Sequence, residues 1–164
     1  MLRILLVIGL FFGVGFTDGA VAQVTRGVSA TSLEEILKSA GYTPKMTKSE
    51  QLGGAYASME GGGYLFHAEA AECAAENCSI LFLFANFNLD RDITLKDYQT
   101  INSYNDTEFL GRAYINVKER QVGIDLVFDL RGGVDREYIR LKALQFPELI
   151  QTFVDRFRKA MDEG

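Results

Sequence analysis

A single histidine, two cysteines and a scatter of carboxylates are the residues of this 164-residue chain that could do chemistry. His67 lies in Leu65-Phe66-His67-Ala68-Glu69, where strand alternation puts Leu65, His67 and Glu69 on one face. A histidine can act as a general base or ligate a metal. Here no Ser or Cys nucleophile accompanies it in a recognisable motif, and no second and third ligand are on offer for zinc, so it reads as a structural strand residue. Cys73 and Cys78 are separated by Ala74-Ala75-Glu76-Asn77. Redox dithiols sit two residues apart at a helix start, which lowers the thiolate pKa, and this spacing between two strand-like runs has neither feature. It predicts a structural disulfide across a hairpin of strands 64–72 and 79–87, because facing residues in such a pair have a Cα separation that a disulfide accepts.

The oxygen-bearing residues are weaker candidates. Asn86-x-Asn88-x-Asp90 followed by Asp97 has the alternate spacing of a calcium loop, but Arg91 occupies the position that needs glycine, and Thr94 and Asp97 form a helix capping box instead. Asp125 and Asp129 fall on one face of a strand roughly 13 Å apart, too wide for a glycosidase pair. The glycine runs Gly53-Gly54 and Gly61-Gly62-Gly63 lead into strand-like sequence, not into the Gly-Lys-Ser/Thr and helix of a phosphate loop, so they read as turns. No catalytic constellation, metal set or cofactor site is expected.

Composition narrows the partners. With 22 acidic against 17 basic residues, a net charge of −5 and no Lys/Arg stripe, a nucleic-acid partner is not expected, since phosphate neutralisation dominates that affinity. An apolar share of 48%, with 16 Gly and 2 Cys, excludes collagen repeats, a long disordered tail and a disulfide-dense miniprotein.

The N-terminus reads as an address. Met1-Leu2-Arg3 is a short positive start, and Ile4 to Phe16 is an apolar and glycine run well short of the roughly 20 residues that span a bilayer as a helix. Ala20-Val21-Ala22 before Gln23 has the small-x-small pattern of a cleavage site. Residues 1–22 are thus expected to be a signal peptide, leaving a periplasmic or secreted chain with no stable membrane anchor. Export to an oxidising compartment agrees with the disulfide.

The elements that must position these residues follow from periodicity. Residues 23–30 show none and are expected to be a flexible start to a domain over 31–162. Ser32 with Glu35 predicts the cap of a short helix carrying Leu33, Ile36, Leu37 and Ala40, stopped at Gly41. Short strands are predicted at 42–48 and 55–59. Ile80-Leu81-Phe82-Leu83-Phe84-Ala85 is apolar on both faces and marks the centre of the sheet, covered on both sides or lying against a partner. A helix begins at Thr94, a hairpin spans 113–117 and 122–130, and a long helical pattern from Asp135 carries a stripe that starts with Tyr138, Leu141 and Leu144. At Pro147 that helix kinks or a second one starts. This order predicts an α+β domain with a mostly antiparallel sheet.

Four short strings stand in fixed order: Gly41-Tyr42, then Ile101-Asn102-Ser103-Tyr104-Asn105, then Gly111-Arg112-Ala113-Tyr114, and finally Asp129 through Gly132-Gly133-Val134. Together they resemble the YbjN domain family. The resemblance runs from Ser32 to Met161. It implies a bacterial sensory transduction regulator with a fold similar to type III secretion chaperones, an α+β sandwich that often pairs into dimers. The family has no established catalytic residues to carry over. The exported form resembles a Gram-negative subset, which implies the periplasm. The bland reading of the strings is structural: Gly132-Gly133 turn from strand to helix, and Asn102 and Asn105 cap or bridge backbone. The expected function is a non-catalytic module binding an unknown protein or peptide on its sheet or helix face, with a homodimer possible. The alternative is a small-molecule or lipid sensor with an internal pocket between sheet and helices.

Overall fold

The computed structural model describes residues 23–162. The expected signal peptide, with Ala20 and Ala22, lies outside the described residues. The chain runs β1 (Val24–Thr25), α1 (Ala30–Ser39), β2 (Lys45–Lys48), β3 (Ala55–Gly61), β4 (Tyr64–Ala74), β5 (Asn77–Asn88), α2 (Leu95–Thr107), β6 (Arg112–Asn116), β7 (Gln121–Asp129), β8 (Val134–Asp135) and α3 (Arg136–Asp162). Strands β2-β3-β4-β5-β7-β6 form one antiparallel sheet of six, and β1 pairs with β8 in a second. The fold is α+β, as the element order predicts, with β5 in the interior of the sheet.

Alternation builds the two faces. Ala57, Ala68, Leu83 and Leu126 fall in one cross-strand row, with Ala70, Leu81 and Phe128 in the next, and this face meets the helices. Its alanines let α1 and α3 approach closely. Leu33, Ile36 and Leu37 of α1, Ile101 and Tyr104 of α2, and Phe146, Ile150 and Phe153 of α3 fill the space, together with Phe66 from β4. Burying a side chain such as Phe146 contributes about 2–3 kcal/mol relative to exposure.

The capping box at Thr94 forms as expected. The Thr94 backbone N–H and hydroxyl both donate to the Asp97 carboxylate, at 2.7 and 2.8 Å, and Arg91 donates two further bonds to it at 2.6 and 2.7 Å. Asp97 is fully buried, yet these donors hold its carboxyl down at about 2. Cys73 and Cys78 face each other across the β4/β5 hairpin and are bonded.

Three expectations are corrected. Residues 23–30 are no flexible start: Val24-Thr25 pair with Val134-Asp135, Val28 exchanges two backbone hydrogen bonds with Cys78, and Val28 is fully buried. The pairing is long-range, so local periodicity carries no trace of it. The first helix begins one turn early, at Ser29, which forms its box with Ser32, and Glu35 instead meets Arg136. In α3, the stripe of Tyr138, Leu141 and Leu144 is 40–50% exposed, and Ile139, Ala143 and Phe146 are buried in its place.

Pro147 neither ends α3 nor splits it. A proline cannot supply the N–H that the carbonyl of Ala143 would otherwise accept. The Tyr42 hydroxyl donates to that carbonyl at 3.0 Å and replaces the missing bond.

Candidate functional site

The helices cover one face of the sheet and leave the other open. On the open face, strict alternation places Ser58, His67, Phe84, Asp125 and Arg112 in one cross-strand row and Thr47, Tyr56, Glu69, Phe82 and Val127 in the next. Tyr56, His67 and Phe84 form a ring cluster with centroids 5.2 to 6.3 Å apart. Phe82 and Phe84 are only half-buried, and Val127 is 50% exposed. Thus the apolar run Ile80 to Ala85 is covered on one side, and on the other it is buried only at Ile80.

The open face is concave. Thr47 to Gln51 at one edge and Asn116 to Glu119 and Gln121 at the other line a single open cleft of about 810 Å³, with Tyr56, Glu69, Phe84 and Asn86 between them. The strong twist of a six-stranded sheet brings these diagonal corners toward each other. Two lysines and three glutamates line it: Lys48, Lys118, Glu50, Glu69 and Glu119.

Its polar groups are mostly fixed. The Ser49 hydroxyl donates to Glu69 Oε1 and accepts from the Leu52 N–H at 2.9 Å. Arg112 grips the largely buried Asp125 with two hydrogen bonds, which raises the arginine further. Tyr114 donates to Asn86 and is pushed up to about 12, first by burial and then by Asp125, so its hydroxyl keeps its proton. Its ring lies over Gly123, where a Cβ would come within 2.6 Å of it. Burial, and then Glu69, raise Tyr56. His67 is lowered by burial, against an opposing pull from Glu69, and its buried Nδ1 has no hydrogen-bond partner among the described residues.

The face presents aromatic planes, hydroxyl donors and carboxylates. His67 stands between rings, with no nucleophile in hydrogen-bond contact among the described residues. The calcium-like spacing is dispersed, because Asn86 serves Tyr114, Asn88 accepts from Gln121, and Asp97 is taken by Arg91 and Thr94. Among the described residues, no three His, Cys, Asp or Glu side chains converge to hold a metal, and no helix is long and apolar enough to cross a membrane.

The sequence model of the YbjN family, described as "Putative bacterial sensory transduction regulator", matches residues 29–159. The chain belongs to the YbjN family. No curated protein matches it.

The YbjN-like strings fall at three places: Tyr42 against Phe66 and the Ala143 carbonyl, residues 101–105 and 111–114 where α2 packs on β6, and Gly132-Gly133 at the turn into β8. Asn105 donates to the carbonyl of Ala113 at 3.0 Å and accepts from its N–H at 2.8 Å, occupying the outer edge of β6 as a neighbouring strand would. Tyr104 packs edge-on against Phe153; burial first, then Glu108, push its hydroxyl up to about 12. Asn102 is exposed on α2. Gly111 precedes Arg112 at the start of β6, with a φ of +79°. Gly132 and Gly133 make the turn into β8, and Gly133 has a φ of +89° with Val24 so near that a Cβ would come within 2.8 Å of it. Gln23 accepts from the Arg136 N–H at 3.0 Å, beside that turn. Of these strings, Arg112, Tyr114 and Asp129 fall on the open face.

Reasoning from sequence did not assemble Tyr56, Glu69, Phe84 and Asn86 into a site. The available signal was Phe82 and Phe84 on the face that β7 declares wet, an apolar pair with no covering element among the described residues.

Proposed function

We propose that this YbjN protein is an exported, non-catalytic regulator that binds a protein or peptide partner on the open face of its sheet. The observation that carries the reading is a concave sheet face bearing Tyr56, Phe82, Phe84 and Val127 with no covering layer among the described residues. The family description as a regulator supports the module class. The Met1 to Ala22 pattern and the Cys73–Cys78 bond support export. An internal sensor pocket has less support, since Phe66, Phe146, Ile150 and Phe153 pack the space between sheet and helices.

The test is photo-crosslinking in living cells, with the reactive residue placed at Val127 on the open face or at Leu144 on the exposed face of α3. One reproducible heterologous adduct from Val127, lost on Phe84→Ala, is expected. Adducts from Leu144 alone, self-adducts alone, or none from either site would overturn the reading. Intact mass of the exported chain should show a start at Gln23 and no thiol available for alkylation.

A further inference from the structure

Glu69 stands apart from the other shielded carboxylates of this protein. Asp97 is gripped by Arg91 and Asp125 by Arg112, each through two hydrogen bonds. Glu69 has no cation within ion-pair distance among the described residues, although Lys48 and Lys118 line the same cleft. It is nevertheless held in place: Ser49 donates to Oε1, and Ser49 is itself anchored by the Leu52 N–H. Oε2 accepts no hydrogen bond among the described residues. Beside it stands Tyr56, its direct cross-strand partner, with Phe84 on the same cleft wall.

A carboxylate oriented through one oxygen, with the other unused and aromatic rings alongside, is the arrangement that attracts an organic cation. The half-buried position screens the charge less than open solvent would. The row through Glu69 continues into Phe82 and Val127, so the cation would arrive flanked by apolar groups. We infer that the partner inserts a basic side chain, with apolar neighbours in its own sequence, against Glu69, Tyr56 and Phe84. The inference rests on the open-face reading and names the chemistry that the face selects. A planar guanidinium suits the site best, because it can stack on a ring while forking to the carboxylate.

The experiment uses the full exported chain and two probes, acetyl-Leu-Arg-Leu-amide and its neutral isostere with citrulline, followed by amide chemical shifts in NMR titrations. The arginine probe should shift the signals of Tyr56, Glu69 and Phe84 and bind about fivefold to tenfold more tightly than the citrulline probe, in proportion to one ring contact and one ion pair. That preference should weaken with added salt. Glu69→Gln should bring the two probes within about twofold of each other, whereas Glu119→Gln on the cleft rim should retain most of the preference. Equal binding of both probes, binding that Glu69→Gln leaves unchanged, or no shift at the three residues would each overturn the inference. None of these results bears on the Val127 crosslink, so failure of the cation site and failure of the open-face reading are told apart.

Discussion

The two faces of the sheet are built from the same strands and obey opposite rules. Under the helices, alanines alternate with large aliphatic and aromatic groups, and Ala57, Ala68, Leu83 and Ala85 are fully buried. On the open face the large groups are half-exposed, and polar side chains pair with each other: Arg112 with Asp125, Tyr114 with Asn86, Ser49 with Glu69. The covered face maximises buried area and so carries stability. The open face leaves apolar area unburied while fixing its polar groups, which lowers the ordering cost of binding. On the proposed function, stability and recognition fall on opposite sides of one sheet, and substitutions should separate them.

The largest effect is expected from pairing one substitution on each side. Phe146→Ala empties the core and should cost about 3–5 kcal/mol, whereas Phe84→Ala should cost about 1 kcal/mol and abolish the Val127 crosslink. Urea denaturation of both variants checks this, and equal losses would break the comparison. Next comes Asp97→Ala on the helix side, which removes a cap and strands Arg91, at about 2–3 kcal/mol in the same assay. The sign of its pH dependence is set by the carboxyl standing at about 2 in the fold, below its ordinary 3.8. Its stabilisation is complete above the ordinary value and lost as the pH falls through about 2, so the variant should lose less stability across that window than the parent.

Tyr42→Phe should cost about 1–2 kcal/mol by leaving the Ala143 carbonyl without a donor at Pro147. Amide exchange around residues 143–147 should quicken more than elsewhere in α3. A uniform change along the helix would show that the hydroxyl does not carry it through the proline. The smallest effect belongs to His67 on the open face. Burial lowers it from 6.5, so the unfolded chain takes up a proton first, and stability should decline as the pH drops below about 6.5 and level off below the folded value. Urea midpoints at pH 7.5 and 5.5 should differ less in His67→Gln than in the parent.

Much of this molecule was readable from local pattern. The apolar run Ile80 to Ala85 announces the interior strand, Thr94 with Asp97 announces a helix start, and two cysteines between strand-like runs announce their own pairing. Each signal is complete within about a dozen residues, so chain chemistry alone specifies it. The open face was only half readable: alternation put His67 and Glu69 on one side, but Tyr56 and the cleft required the register between strands.

What the sequence by itself determined, then, was every element except the short strands β1 and β8, and which residues alternate within each. The tertiary structure decided which of two apolar stripes of α3 is buried. Tyr138-Leu141-Leu144 and Ile139-Ala143-Phe146 lie on nearly opposite sides of the helix, about 170° apart, and only the position of the sheet chooses between them. It likewise decided that Val24 and Thr25 become a strand, that Tyr42 completes the helix at Pro147, and that Asn105 occupies the edge of β6. Those bonds join residues 8 to 111 positions apart, from Asn105 with Ala113 to Val24 with Asp135. A donor seeking an acceptor across such a gap leaves no period in the chain, because the partner's position is set by the packing of everything between.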